Sequence, residues 1–369
     1  MRFFVTAAKG TEPALRDELR ELRLGPVRAD RGGVHFEGDL VDAARACLWS
    51  RIGVRVLLEI TGFDAPDAAA LYAGVRAIDW AEWLTPHMTL AVRATTRSSR
   101  LTHSQYVAQK TKDAIVDGQR DRYGLRSSVD RDDPDVVVAV RVAGERATIY
   151  LDAGGSSLHA RGWRARAGDA PIRETLAAAV LRLSGWDRER PLIDPMCGAG
   201  TIAVEAAAWA QRIAPGLTRP SFGLERWANH DDTIRGGLRA LREEARAARI
   251  DKGPEVIARD VDPRSIVLAR ESARAAGVSV TVQRQDVLSL TPLDPPGFVV
   301  TNPPYGVRLN VDPGLYDNLA SVLGRMHGHT VALLVGTPAI AQAMNRAPAR
   351  SWALYNGPIE CRLLVYPIP

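Results

Sequence analysis

Pro191-Leu192-Ile193-Asp194-Pro195-Met196-Cys197-Gly198-Ala199-Gly200-Thr201 is the stretch that decides the fold. Its apolar opening has the length of a buried strand, and Asp194 closes it. Gly198 and Gly200 allow a tight turn and let a ligand approach the backbone. Thr201 then opens an Ala-rich helix over residues 202–210. Strand, glycine loop and helix N-terminus in this order begin a nucleotide-binding α/β domain. There is no GxGxxG here and no GxxxxGK[ST]. A loop led by an acid suits a cationic ligand better than a pyrophosphate. S-adenosylmethionine fits, since its amino acid end carries an ammonium beside a sulfonium.

Outward from this loop the pattern repeats. Residues 255–259 read as a second strand ending in Asp260, whose carboxylate can accept both ribose hydroxyls. Asp262-Pro263 starts a helix, with the proline in its first turn. Residues 278–283 read as a third strand leading to Asp286-Val287. There Asp286 can accept from an adenine amino group while the Val287 N–H donates to the ring. The apolar run 297–300 ends in Thr301-Asn302-Pro303-Pro304-Tyr305-Gly306. A lone Asp is more often a turn former than a ligand contact. Four successive strand ends carrying Asp194, Asp260, Asp286 and Asn302 change that balance, because open α/β sheets bind ligands at the carboxyl ends of their strands.

The Asn-Pro-Pro-Tyr turn is suited to an exocyclic amino group. Such a nitrogen is a poor nucleophile while its lone pair is delocalised. Two acceptors on its N–H groups let it turn pyramidal and aim that pair at an electrophile. Asn302 offers a side-chain carbonyl, and Pro303 offers a backbone carbonyl without an N–H. Each proline also holds the residue before it extended, so the acceptors are fixed in advance. Tyr305 adds a face for an extruded base. Read alone, the turn is also compatible with a structural Pro-Pro corner.

These residues bring a family into view. The segment from Ala170 onward resembles the class I S-adenosylmethionine-dependent RNA guanine-N2 methyltransferases. The whole chain is similar to the N-terminal half of the large bacterial 23S rRNA members. Ser104-Gln105-Tyr106, Lys112-Asp113-Ala114-Ile115-Val116-Asp117, Val129-Asp130-Arg131-Asp132, Pro171 to Ala178, Asp194 to Thr201, Asn302 to Leu309 and Asn356-Gly357-Pro358-Ile359-Glu360-Cys361 carry the likeness. It implies a Rossmann-like class I methyltransferase domain with a mostly parallel seven-stranded sheet. An α+β ferredoxin-like segment and an RNA-binding THUMP domain precede it. The implied bounds are 1–55 for the ferredoxin-like domain, 56–155 for THUMP, 156–175 for a basic linker and 176–369 for the catalytic domain. Asn302, Pro303 and Tyr305 are expected at the target base. Cofactor contacts are expected from Thr175, Asp194, Pro195, Cys197, Gly198, Gly200, Thr201, Asp260, Val261, Asp286, Val287 and Asn302. The implied partner is RNA, ribosomal rather than transfer RNA.

Composition sets the remaining bounds. The chain has 369 residues, 46% hydrophobic and 25% charged, ordinary for globular domains. No apolar run of transmembrane length exists, and Met1 to Thr6 lacks the apolar region of a signal peptide. Cys47, Cys197 and Cys361 are widely spaced with no CxxC, which reads as reduced thiols in a cytoplasm rather than a disulfide frame or zinc site; the seven histidines form no cluster, so no metal is expected, and the chain is expected to be a monomer. Arg outnumbers Lys 44 to 4, a bias that a GC-rich genome also produces. Its distribution is more informative. Residues 90–126 hold eight bases and three acids, an excess equal to the whole chain's +5. RNA contacts are therefore expected from Arg97, Arg100, Lys110, Lys112 and Arg120. Arg161 and Arg164 of the linker are added, with Trp163 either stacking on RNA or packing between domains. An insertion over residues 211–252 contains a charged helix, 234–248. The rival functions are DNA adenine-N6 methylation, protein glutamine-N5 methylation, tRNA methylation and a non-catalytic RNA-binding assembly factor.

Overall fold

The computed structural model describes residues 1–164, 172–304 and 314–369. Its N-terminal half contains β1 (Arg2–Thr6), α1 (Glu12–Glu21), β2 (Arg28–Asp30), β3 (Gly33–Glu37), α2 (Leu40–Trp49), β4 (Arg55–Asp64), α3 (Ala68–Arg76), β5 (Thr89–Arg97), α4 (Ser104–Tyr123), β6 (Ser128–Val129), β7 (Val136–Ala143) and β8 (Arg146–Asp152). Local signals account for most of these limits. Asp39 and Asp42 form a reciprocal cap at the start of α2. Gly124, at φ 69°, ends α4.

These eight strands form one sheet, in the order β2-β3-β1-β4-β8-β7-β5-β6. Strand β4 is ten residues long and pairs antiparallel with both β1 and β8. The boundary expected at 55/56 therefore divides no sheet. A long strand with two ladders joins the ferredoxin-like segment to its neighbour.

The catalytic half contains α5 (Glu174–Ser184), β9 (Leu192–Asp194), α6 (Thr201–Ala210), α7 (Asp232–Ala247), β10 (Val256–Asp260), α8 (Pro263–Ala276), β11 (Thr281–Arg284), β12 (Phe298–Thr301), α9 (Leu315–Gly324), β13 (Thr330–Val335), α10 (Ala339–Ala343), β14 (Arg350–Asn356) and β15 (Ile359–Pro367). Its sheet runs β11-β10-β9-β12-β13-β15-β14. Only β15 runs against the rest. The strand expected from 278 starts three residues later. Gly277, at φ 63°, closes α8, and the Val278 N–H turns back to the Ala273 carbonyl at 3.1 Å.

The insertion braces the two halves. Helix α7 lies on α2, where a Cβ on Gly237 would come within 2.7 Å of Val41. Trp227 meets Trp83 edge-on, with centroids 5.5 Å apart. Arg226 pairs with Asp133 at 2.7 Å.

Two expected RNA contacts belong to the same seam and are corrected here. Arg161 is 3% exposed, with Nε 3.3 Å from Glu205 of α6 and its other N–H groups on the Leu158 and Arg51 carbonyls. Arg164 holds Glu174 at 2.7 Å, the Ile172 carbonyl at 2.7 Å and the Thr201 hydroxyl at 3.1 Å. A buried guanidinium such as Arg161 requires partners for its donors, and the half-buried Arg164 spends its donors on the catalytic domain, so both side chains fasten that domain. Trp163 packs against Val204 and Ala273. No helix among the described residues is long and apolar enough to cross a membrane.

Candidate active site

The site is built at the carboxyl ends of β9, β10 and β12. Parallel pairing of β10 with β9 and of β12 with β9 sets these ends side by side. Asp194 ends β9 and is 1% exposed. Its carboxylate accepts from the Met196 N–H at 3.3 Å. Burial pushes its carboxyl up to about 7. The Thr301 side chain and the Met196 N–H oppose this, and the nearby charge of Asp260 adds to it. Among the described residues no Lys or Arg pairs with it.

The glycine loop turns over this acid. Gly198 has φ 53° and Gly200 φ 80°. At Gly200 a Cβ would also lie 3.0 Å from that of Ala269, so the close packing of α8 reinforces the need for glycine. Asp260 ties the loop down. One oxygen accepts from the Gly198 N–H and the other from the Asp262 N–H, both at 2.9 Å. Each oxygen retains lone pairs for a ligand hydroxyl. Val261 beside it is 60% exposed, an apolar side chain with nothing packed over it.

The other expected cofactor residues divide by burial. Asp286 caps the following turn through the Leu288 N–H at 2.9 Å, while Val287 is buried. Pro195 and Cys197 are buried, and burial drives the Cys197 thiol far up, which makes it a packing residue rather than a nucleophile. Thr201 meets Arg164, and Thr175 is buried in the first turn of α5.

At the end of β12, Thr301 is fully buried. The Asn302 side-chain oxygen is buried and has no hydrogen-bond partner among the described residues. A buried acceptor left open is costly unless a partner fills it. Pro303 follows it. The Pro304 carbonyl accepts from the Tyr316 hydroxyl of α9 at 2.8 Å. Sequence reading missed Tyr316 because it lies 12 residues beyond Pro304, outside the motif itself. Tyr305 lies outside the described residues. Among the described residues no group of His, Cys, Asp and Glu is placed to hold a metal.

The remaining expected RNA contacts are exposed or half-buried, but most already have partners. Arg100 faces Glu145 at 3.8 Å, Arg120 faces Asp117 at 3.4 Å, and Lys112 pairs with Asp113. Lys110 sits over the Tyr72 ring. Arg97 is the exception, with no carboxylate in ion-pair range among the described residues.

With this geometry in place, comparison with known proteins identifies the family. Residues 161–364 match the RMKL-like methyltransferase domain, 65–152 the THUMP domain and 2–57 the RlmL ferredoxin-like domain. The chain belongs to the RMKL-like methyltransferases. The family fold is the class I, S-adenosylmethionine-dependent one. The ribosomal RNA large subunit methyltransferases K/L of Syntrophotalea carbinolica and Methylococcus capsulatus are both 41% identical, over 100% and 99% of this chain. The match covers 54% and 51% of those proteins, so the chain spans about half the length of these relatives. SMU.472, solved in complex with SAH, superposes with a TM-score of 0.89 at 28% identity, covering 100% of this chain and 98% of its own. A structure from Listeria monocytogenes named as a predicted N6-adenine-specific DNA methylase gives 0.87 at 30%, covering 100% and 96%.

Proposed function

We propose that this chain transfers the methyl group of S-adenosylmethionine to the exocyclic N2 of a guanine in large-subunit ribosomal RNA. The observation that supports this reading is the buried Asn302 oxygen, without a partner among the described residues, at the strand end beside Asp194, which no described cation pairs with. In this reading Asp194 faces the cofactor's ammonium, Asp260 its ribose, and Val261 and Asp286 its adenine. Asn302 and the Pro303 carbonyl accept from the guanine amino group. The nitrogen attacks the methyl carbon as the S–CH3 bond breaks. S-adenosylhomocysteine leaves, and the extra proton on nitrogen passes to water. The sulfonium supplies the electrophile, so these residues mainly position and desolvate. The target base must be unstacked to reach the turn. The K/L names of the two relatives support ribosomal RNA as the substrate. We further assign the three matched segments to three modules of one cytoplasmic, monomeric protein.

The Listeria name favours a second reading, DNA adenine methylation, because the same turn suits an adenine amino group. Labelled S-adenosylmethionine offered with rRNA, tRNA and DNA, followed by nucleoside mass spectrometry, separates the two. N2-methylguanosine in the large-subunit RNA is expected, and N6-methyladenine in DNA would replace the proposal. Within the reading, Asn302→Ala should lower single-turnover rates by about 10²–10³ while cofactor still binds. Asn302→Asp keeps an acceptor and should retain more activity than Ala. Equal loss in both would point to an Asn N–H donor instead.

A further inference from the structure

The face of the eight-stranded sheet carries a cavity of about 510 Å³. Its floor is apolar, formed by Phe4 of β1, Leu57 of β4, Ala139 of β7 and Tyr150 of β8. Its walls are basic. Lys9, Arg31, Arg55, Arg93, Arg97 and Arg141 line it, against Glu12 and Asp152.

Both acids are already engaged. Glu12 accepts from the Gly10 N–H at 2.7 Å and the Gly32 N–H at 3.1 Å. Asp152 is fully buried and pairs with Arg55. Among the described residues no carboxylate lies in ion-pair range of Arg31, Arg93, Arg97 or Arg141. Arg141 instead lies 5.6 Å from the centroid of the Phe4 ring. Four unpaired guanidiniums around an apolar floor complement a chain that alternates phosphates with bases.

A second cavity, about 350 Å³, shares Thr6, Ala7 and Lys9 with the first. Its far wall belongs to the catalytic half: Arg173, Thr175 and Leu176 at the start of α5, and Tyr355, Asn356 and Gly357 at the β14–β15 turn. Lys9 stands at the junction, donating to the Tyr355 hydroxyl at 2.6 Å, which in turn donates to Glu360 at 3.0 Å. The α5 end is linked to the glycine loop, since Arg164 bridges Glu174 and Thr201.

We propose that the two cavities form one track for the single-stranded RNA adjoining the target base. Phosphates lie along Arg31, Arg93, Arg97 and Arg141, a base lies over the Phe4–Tyr150 floor, and the strand passes Lys9 towards α5. The track rests on the RNA methyltransferase reading. It moves the RNA contact from α4, whose cations are largely paired, to the strands themselves, although Arg93 also borders a cavity shared with Gln105 and Lys112 of α4. It also explains why β4 fuses the two N-terminal modules: the floor needs strands from both.

The test uses a fluorescein-labelled ten-nucleotide single-stranded RNA, the full chain and anisotropy. Arg93→Ala/Arg97→Ala/Arg141→Ala should weaken binding at least tenfold. It should also flatten the slope of log K against log salt by about 2, as expected for three lost single-strand phosphate contacts. Lys110→Glu/Lys112→Glu/Arg120→Glu on α4 should change binding less than threefold. All three replaced arginines are solvent-accessible, and unchanged thermal unfolding with unchanged cofactor binding by calorimetry verifies their fold. Cross-linking with a 4-thiouridine oligonucleotide should label peptides of β1, β7 and β8. Wild-type binding by the sheet variant, loss confined to the α4 variant, or equal competition by duplex RNA overturns the track. Oligonucleotide binding lost in the sheet variant, with no RNA methylated by the wild type, would uphold the track and fault the proposed reaction.

Discussion

The seam and the strand-end site both bury carboxylates, and they treat them in opposite ways. At the seam Glu205 is 2% exposed and lies 3.3 Å from Arg161 and 3.6 Å from Arg51. Other guanidinium N–H groups reach the Ala208, Leu158 and Arg51 carbonyls, while one Arg51 terminal nitrogen faces Glu205 without a hydrogen bond. Burial lowers Arg51 to about 10, yet it stays charged at neutral pH. At the strand ends Asp194 is equally buried, has Asp260 nearby, and has no cation from the described residues. A buried charge matched by the protein is a fastener. One left unmatched is a place kept for a ligand's charge. On the sheet face, more exposed, four of five lining arginines have no carboxylate in ion-pair range among the described residues, while Arg55 pairs with Asp152.

The contrast can be broken by experiment, most forcefully at the seam. Glu205→Ala leaves two buried guanidiniums without their acid and should cost about 3–5 kcal/mol in denaturant unfolding. A loss under about 1 kcal/mol would mean that the seam charges are solvated after all.

The strand-end acid should reveal itself by pH. Its folded pKa, about 7, lies above the ordinary 3.8. Between those values the folded chain holds a proton that the unfolded chain has lost, so this group's contribution to stability falls as pH rises towards 7. A cationic cofactor prefers the ionised acid. Its affinity should therefore rise by up to about tenfold from pH 6 to 8, with proton release, a difference of roughly 1.4 kcal/mol. Calorimetry in buffers of different ionisation heat measures both quantities. Asp194→Asn should abolish the dependence, and a slope that survives in that variant would move the titrating group elsewhere.

Smaller effects sharpen the picture. Tyr316→Phe removes one hydrogen bond to the Pro304 carbonyl. It should slow turnover about fivefold, the equivalent of about 1 kcal/mol, with cofactor affinity unchanged. Arg97→Ala should leave stability within about 0.5 kcal/mol, because this side chain has no ion pair to lose. A larger drop in melting would make it another fastener.

Much of the site was legible in the chain because its signals are local. Asp194, the two glycines, Asp260, Asp262-Pro263 and the Asn302 turn each follow an apolar run and fall where the sheet ends. Strand β11 was misplaced at its start because the helix cap claims Val278, a choice between two hydrogen-bond partners that periodicity does not reveal.

What the sequence determined by itself is the strand–loop–helix order around the glycine loop, the strand-end acids and the amide at Asn302, since each depends on neighbours a few residues away. Only the tertiary structure decided which of 44 arginines are free. Arg161 and Arg97 look alike in composition and local charge. Their fates differ because Glu205, 44 residues beyond Arg161, folds against it, whereas no carboxylate of the described chain comes within ion-pair range of Arg97. The partner of a charge is set by long-range packing, and that information is not carried by any short stretch of chain.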